Sequence, residues 1–418
     1  MGACNGSLPL FDLPPRTTDG PPDDATPEPI ALDALALHWQ LLVGRDRRPN
    51  GVRLSLRRRA GSAAVALSAL LDAVVRGFQS GQALPFPHGL VLLAPLDTVA
   101  DAALARWSAP RNVLLEIGAA DLQDQARVRL LFDSRQRGVR QALRATEGLP
   151  APERLQFFQY VLAPAACAAQ VRVPVLALDV HTAEQARAAF EAGAHGVVGW
   201  PMEMPPAEGR ALSPSQRAIF ELVRLIQADA QIGSLERVFE SEPLLAYLLL
   251  TLANSVAFRR GAPTASLRQA VISIGYQRLI KWLVLMLAIS AKDERSAPLI
   301  FTTLVRGYCM ENLCQAAGGP RDVAEEAFVV GAFSLLDRIT GQSLPSLLGQ
   351  VGLPEDVVDA LVHGRGPYAP FLTAVRCLEG EDAQAHDAAC AALPVDGDRL
   401  NHALLHAIAA ADALLSVI

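Results

Sequence analysis

A long apolar stretch between residues 242 and 289 constrains the fold of this chain more than any other feature. It opens Glu-Pro-Leu-Leu-Ala-Tyr-Leu-Leu-Leu-Thr-Leu-Ala-Asn-Ser, and its aliphatic residues do not alternate with polar ones. Its longest apolar run, residues 279–289, is broken by Lys281 and is shorter than the roughly 20 residues that a bilayer span needs. We therefore predict buried helices of a folded domain rather than a transmembrane segment.

Composition places the chain among multidomain cytoplasmic proteins. Its 418 residues are enough for two or three domains. A formal net charge of −6 gives no overall attraction to nucleic acid or to anionic lipid. The six cysteines contain no C-x-x-C pair, which favours free thiols in a reducing compartment. No basic segment followed by an apolar run marks a signal peptide at the start.

The first half of the chain is predicted to be a short lead followed by an α/β domain. Residues 1–29 are rich in Pro, Asp, Gly and Thr, which predicts disorder. Residues 30–205 alternate apolar strand-like runs with alanine-rich helical ones, which favours a parallel sheet or a TIM-like barrel. The region has roughly 175 residues against the ~250 of a typical barrel, so a complete and an incomplete barrel both stay open. Predicted strands lie at 52–56, 90–93, 113–117, 175–178 and 196–198, and helices at 63–78, 98–107, 121–135 and 182–191.

The second half, residues 206–418, is predicted to be all-α. Ser213-Pro214-Ser215-Gln216 combines an N-cap serine, a proline at the first helical position and a capping-box glutamine. Further helix starts of this type are predicted at Ser266, at Asp322 and at Leu353-Pro354.

This helical half resembles the HDOD domain, a signalling module related to the HD phosphohydrolases. Both of its signature blocks are present, in order and at the right separation. We expect structural roles for these residues: Asn254 at the end of one helix, and Gly275 at the end of another. The residues that carry the resemblance are Pro243, Asn254, Ser255, Ser266, Ala270, Gly275, Trp282 and Gly331.

The metal site of catalytic HD proteins is not expected to be present. The resemblance places the metal-binding His-Asp pair at Ser334 and Leu335, neither of which suits a divalent cation. The dipeptide His386-Asp387 lies outside the expected context. His402 and His406, at an i, i+4 spacing that can chelate a metal, are interpreted as surface or half-buried histidines.

The first half resembles EAL domains, barrels that hydrolyse cyclic di-GMP with two metal ions. Gln40-Leu41-Leu42 is similar to the founding motif, with Gln40 in place of a metal-binding Glu. Glu116, in the strand 113–117, matches a retained metal-binding Glu. In the later motifs Leu178, Asp179, His181 and Val198 replace polar residues of the family. With one carboxylate left, the resemblance implies a degenerate domain without its metals.

Arginines crowd residues 45–59, in which seven of the fifteen side chains are guanidinium groups. Three interpretations stay open: a solvated face or salt-bridge network, a protein interface, or a phosphate site. Glu116, Arg45 and Arg57 are the candidates for contact with a nucleotide.

Together these patterns predict a non-catalytic bacterial signalling regulator, not an enzyme, that needs no cofactor and acts on other signalling proteins. The alternatives are a cyclic di-GMP receptor without turnover and a residual cyclic di-GMP phosphodiesterase. Cyclic di-GMP is the less favoured ligand, and a homodimer is compatible with the apolar helical half. Neither a membrane nor nucleic acid is expected as a partner.

Overall fold

The computed structural model describes residues 32–59, 65–79, 83–96, 104, 107–146, 148–199, 212–255, 264–289, 296–351, 353–380 and 382–416. The predicted disordered lead, the linker around residues 201–209 and most of the predicted helix 98–107 lie outside these ranges.

Eight strands close into a barrel in chain order. The first strand is antiparallel to both of its neighbours, and the other seven run parallel to one another. The strands are β1 (Leu35–Gly44), β2 (Pro49–Arg58), β3 (Leu90–Pro95), β4 (Val113–Gly118), β5 (Arg140–Arg144), β6 (Tyr160–Ala163), β7 (Val175–Val180) and β8 (Gly196–Gly199).

The predicted TIM-like barrel is confirmed, and it is complete, because the sheet closes between β1 and β8. The sequence located five strands but missed β1, β5 and β6. A hairpin rather than a helical crossover joins β1 to β2, and β5 and β6 have only five and four residues. The hairpin and the two short strands let a complete barrel form from fewer residues than a typical barrel has.

The interior of the barrel changes from apolar to polar along its axis. Leu42, Leu92, Leu114, Leu162 and Leu176 belong to a separate apolar cluster inside the strands. Because side chains alternate along a strand, residues two positions nearer the carboxyl ends of the parallel strands face the same interior. β1 runs in the opposite direction, so its residue at that level, Gln40, comes two positions before Leu42. Polar side chains fill that end, and they are Gln40, Arg53, Ser55 and Glu116.

Four helices connect the barrel strands; α1, α2 and α4 match predicted positions, and the short α3 was not predicted. Thr182 begins the last of them with a capping box, its hydroxyl accepting from the Gln185 N–H. They are α1 (Leu67–Gln79), α2 (Gln125–Gln136), α3 (Pro152–Leu155) and α4 (Ala183–Glu191).

The rest of the described chain is helical, as predicted. Ser213 and Ser266 cap their helices through hydrogen bonds to Gln216 and Gln269. The helix predicted to start at Asp322 begins one residue earlier, after Pro320, and has no side-chain cap. The helices are α5 (Pro214–Gln227), α6 (Ile232–Ser241), α7 (Pro243–Ala253), α8 (Leu267–Ile274), α9 (Tyr276–Ile289), α10 (Ser296–Ala316), α11 (Arg321–Phe333), α12 (Leu336–Thr340), α13 (Leu344–Val351), α14 (Glu355–Val358), α15 (Ala369–Cys377), α16 (Ala383–Ala391) and α17 (Gly397–Leu415).

Within the described ranges, no single helix has the length and hydropathy of a membrane span. The pair α8 and α9, bent by 105° at their junction, meets those criteria only when the two are taken together.

The last helix, α17, connects the helical part to the barrel through hydrogen bonds. The buried Asn401 amide donates to the carbonyls of Leu32 and Leu35, each at 2.8 Å. Asp398 accepts from the Leu32 N–H, and Asp412 accepts from the Phe86 N–H, both at 2.8 Å. These bonds join residues more than 300 positions apart and fix the carboxyl-terminal helices against β1 and the loop before β3.

Candidate functional site

A buried ion pair occupies the polar end of the barrel. The Arg53 guanidinium on β2 donates to both Glu116 oxygens on β4, at 2.6 and 2.9 Å. Its remaining face donates to Gln40 Oε1 at 2.9 Å and to Ser55 Oγ at 3.1 Å. Arg53 and Glu116 are each 3% exposed. A bidentate pair of this kind is strong, and it leaves Arg53 with partners on three strands.

Arg144, at the end of β5, adds a second cation to the same carboxylate. Its Nε lies 3.0 Å from Glu116 Oε1, and its side chain is 35% exposed. Glu116 therefore receives two guanidinium groups, one sealed inside the barrel and one facing the mouth at the carboxyl ends of the parallel strands. Ligands of barrels of this type bind at that end.

The metal pair that an EAL resemblance implies does not fit this arrangement. Glu116 is already neutralised by two arginines, and the founding-motif position lies beside Arg53 rather than another carboxylate. Among the described residues, no group of three or more His, Cys, Asp or Glu side chains could hold a metal ion. Mg²⁺ and Mn²⁺ favour sets of oxygen ligands, not guanidinium neighbours.

Helix α16 covers the β1–β2 side of the barrel mouth. Arg57 Nη2 lies 2.9 Å from Asp387 Oδ1 and 3.4 Å from the Ala383 carbonyl. The His38 and His386 rings lie 4.7 Å apart by their centroids, and the His386 side chain is fully buried. Next to them the Trp39 N–H donates to the Leu378 carbonyl at 2.8 Å. The helical part therefore contacts the mouth directly.

The sequence missed the role of His386 and Asp387. From the sequence, their dipeptide was set aside because it lies outside the expected context, whereas His386 is buried against β1 and Asp387 binds β2. Their barrel partners lie more than 300 residues away, so no local pattern could pair them. The only local signal was a histidine within an alanine-rich helix.

The arginines of residues 45–59 lie in three different parts of the barrel. Arg45 lies at the opposite end of the barrel, exposed, and donates to the Phe190 carbonyl at 3.1 Å. Arg53 is inside, Arg57 is at the mouth, and Arg59 donates to the Leu35 carbonyl. Of the three nucleotide candidates, Glu116 and Arg57 share the carboxyl end of the barrel, and Arg45 does not. The segment is not one phosphate patch.

The helical signature residues perform structural tasks. Asn254 ends α7, and its side-chain amide makes two hydrogen bonds of 2.8 Å with the Thr264 backbone. Gly275 ends α8 with φ of +80°, a conformation that other residues rarely adopt. Trp282 and Ala270 are buried in the core.

At the position of the HD metal pair the structure has an arginine network. Ser334 accepts from Arg306 Nη1 at 2.9 Å, and Arg306 makes two bonds of 2.6 Å with Glu379. Leu335 is buried among apolar residues. These contacts connect α10 and α11 to the segment that leads to α16.

Acid is expected to destabilise the contact between α16 and the barrel. Burial lowers the pKa of His386, and its hydrogen bond with Asp387 offsets this only in part. In the unfolded state the imidazole has a pKa of about 6.5. Below that pH the unfolded state binds a proton more strongly than the folded state does. The contribution of His386 to stability is therefore fully present above about pH 6.5. It is lost as the pH falls towards the pKa of His386 in the folded state.

Between about pH 7.5 and 5.5, the free energy of unfolding of the wild type should fall by more than that of His386→Gln. Urea denaturation at both pH values measures the difference. His88→Gln, at an exposed position, should keep the wild-type slope. Equal slopes for wild type and His386→Gln would contradict the assignment.

Comparisons with known proteins agree with the helical part. Residues 212–340 match the family model described as the HDOD domain. The chain is 27% identical over 235 residues to the cyclic di-GMP phosphodiesterase CdgJ of Vibrio cholerae, covering 56% of this chain and 54% of CdgJ. It is 23% identical over 212 residues to the uncharacterized protein YuxH of Bacillus subtilis, covering 50% and 51%. The chain thus spans about half the length of the curated relatives it matches.

Two solved structures with weak overall similarity are complexes with cyclic di-GMP. One is the PaMucR phosphodiesterase, at 13% identity and a TM-score of 0.30, covering 41% of this chain and 91% of that one. The other is the Bacillus subtilis YkuI protein with an EAL domain, at 14% identity and a TM-score of 0.29, covering 58% and 73%. TM-scores this low carry no weight for function.

The expectation of a non-catalytic regulator, not an enzyme, is contradicted by these comparisons. The relative from Vibrio cholerae is named a cyclic di-GMP phosphodiesterase.

The matched residues lie within the predicted helical domain of 206–418, whose outer limits stay a prediction. Residues 212–340 form an HDOD domain, and it follows a closed eight-stranded barrel in the same chain.

Proposed function

We propose that this chain is a cyclic di-GMP signalling protein whose barrel binds the dinucleotide at the carboxyl ends of its parallel strands. The observation that carries the proposal is Arg144, whose side chain is 35% exposed at the mouth and which shares the Glu116 carboxylate with Arg53. Arg57, with 21% of its side chain exposed, is paired with Asp387, so a phosphate would compete with that carboxylate. Guanidinium groups bind phosphate oxygens through paired hydrogen bonds, and cyclic di-GMP carries two phosphates.

Helix α16 gives the bound dinucleotide a route to the helical domain. It covers the β1–β2 side of the mouth through the Arg57–Asp387 pair and the packing of His386 on His38. A ligand whose phosphates compete for Arg57 weakens that attachment. Binding at the barrel therefore changes how firmly α16 is held.

Hydrolysis of the bound dinucleotide is a second candidate function, and the name of the Vibrio cholerae relative favours it. Incubation with cyclic di-GMP, with Mg²⁺ or Mn²⁺ and with neither, followed by chromatography of the linear product, measures it directly. A metal-dependent product that the Arg144→Gln variant loses would place the reaction at this mouth.

Isothermal titration of the full chain with cyclic di-GMP tests binding. Saturable binding is expected, and Arg144→Gln should raise the Kd at least about ten-fold because a charge-assisted phosphate contact is lost. Arg45→Gln, at the opposite end of the barrel, should change the Kd less than about two-fold. Absence of saturation up to about 1 mM, a free energy weaker than about −4 kcal/mol, would overturn the proposal.

A further inference from the structure

A groove on the flank of the barrel exists because the crossover between β5 and β6 lacks a full helix. In a complete barrel of this type, a helix follows each parallel strand and packs beside its neighbours. Between β5 and β6 the chain forms only α3, a single turn of four residues. The outer side of α2 therefore has no long neighbouring helix on that flank, and a concave surface remains between α2 and the segment after α3.

The walls of this groove expose aromatic rings. Phe132 on α2 is 51% exposed, and Phe157 after α3 is 44% exposed. Val128 lies one helical turn before Phe132 and is 39% exposed. The groove has a volume of about 790 Å³, within the usual range for small-molecule sites.

The same walls carry positive charge without a compensating acid. Arg129, Arg135 and Arg154 line the groove, and no Asp or Glu does. In the part of the chain that the structure describes, these three arginines make no ion pair, although Arg127 on the same helix pairs with Asp121 and Asp124. The Arg135 guanidinium carbon lies 5.3 Å from the centre of the Phe157 ring.

We propose that this groove binds a small aromatic anion of the mononucleotide class. The planar base stacks on Phe132 and Phe157, and the phosphate binds Arg129 and Arg154. Base stacking on aromatic side chains tolerates different bases, and arginine provides two parallel donors to a phosphate. The site lies outside the barrel wall and uses none of the residues at the mouth, so it is independent of the function proposed above.

Titration of the full chain with 5′-AMP and 5′-GMP by calorimetry tests this site. Both should saturate at concentrations below about 1 mM. Adenosine alone and inorganic phosphate alone should each bind at least about ten-fold more weakly, because each lacks one of the two contacts.

Variants locate the binding. Phe157→Ala and Arg154→Gln should each raise the Kd for 5′-AMP at least about five-fold. Both side chains are at the surface, and circular dichroism confirms that the variants are folded. Arg187→Gln, on the exposed side of α4, should bind as the wild type does. Absence of saturation, or unchanged affinity in the groove variants, would overturn the proposal.

Discussion

Replacement of Glu116 by glutamine is expected to lower the free energy of unfolding by about 3–5 kcal/mol. The change leaves Arg53, which is 3% exposed, as a buried cation that has lost its carboxylate partner, and its hydrogen-bond acceptors Gln40 and Ser55 are neutral. Glutamine keeps the shape of the side chain but can accept only one of the two hydrogen bonds from Arg53. Urea denaturation followed by tryptophan fluorescence measures the loss, because Trp39 and Trp107 are buried in the barrel half.

Two further variants separate the buried charge from its surroundings. The double variant Arg53→Leu with Glu116→Leu should recover more than half of the loss, because it removes both charges from the interior. Arg144→Gln should cost less than about 1 kcal/mol, since that guanidinium is 35% exposed and is solvated from the mouth. A loss below about 1 kcal/mol for Glu116→Gln would mean that water reaches the pair in the folded protein.

Much of the barrel could be predicted from local sequence, and its closure could not. Five strands appear as apolar runs because strands buried on both faces are nearly continuous in hydrophobic residues. β1 contains His38 and Gln40, which interrupt such a run, since its inner face meets the polar end of the interior. β5 and β6 are too short to stand out. The pairing of β1 with β8 joins residues 41–44 to 196–199, and no local pattern specifies it.

The candidate site was predictable residue by residue but not as an arrangement. Glu116 and Arg57 were identified from their types and positions, and both lie at the carboxyl end of the barrel. Arg45 was grouped with them because it is near in sequence, yet the β1–β2 hairpin sends it to the other end. Local sequence could not distinguish Arg53 from the other six arginines, because its partner Glu116 lies on a strand 63 positions later.

The helical half was predicted more completely because its signals are local. Helix caps and the ends of helices depend on residues within one turn, and Ser213, Ser266, Asn254 and Gly275 behave accordingly. The contacts of α16 and α17 with the barrel depend on side chains such as Asp387 and Asn401, whose partners lie in the first 60 residues. The contacts that join the two halves therefore could not be predicted from local sequence.

The close packing of α10 against α11 depends on a glycine. A Cβ atom added to Gly331 would lie 2.5 Å from the Arg306 carbonyl oxygen and 2.8 Å from the Gly307 nitrogen. Both of these are backbone atoms, so no side-chain rotation can relieve the overlap. Gly307 on α10 is itself limited, since a Cβ there would lie 2.8 Å from the Phe328 ring. The two helices must separate to admit even a methyl group.

Gly331→Ala should therefore lower the free energy of unfolding by about 3 kcal/mol, because overpacking outweighs the better helix propensity of alanine. Gly349→Ala is the matched control: this glycine lies in α13 with no atom within 4 Å of an added Cβ, so stability should rise by about 0.5–1 kcal/mol. Urea denaturation followed by circular dichroism compares both variants with the wild type. If Gly331→Ala were as stable as Gly349→Ala, α10 and α11 would not be held at this distance in solution, and the Arg306–Ser334 bond that spans them would not form as described.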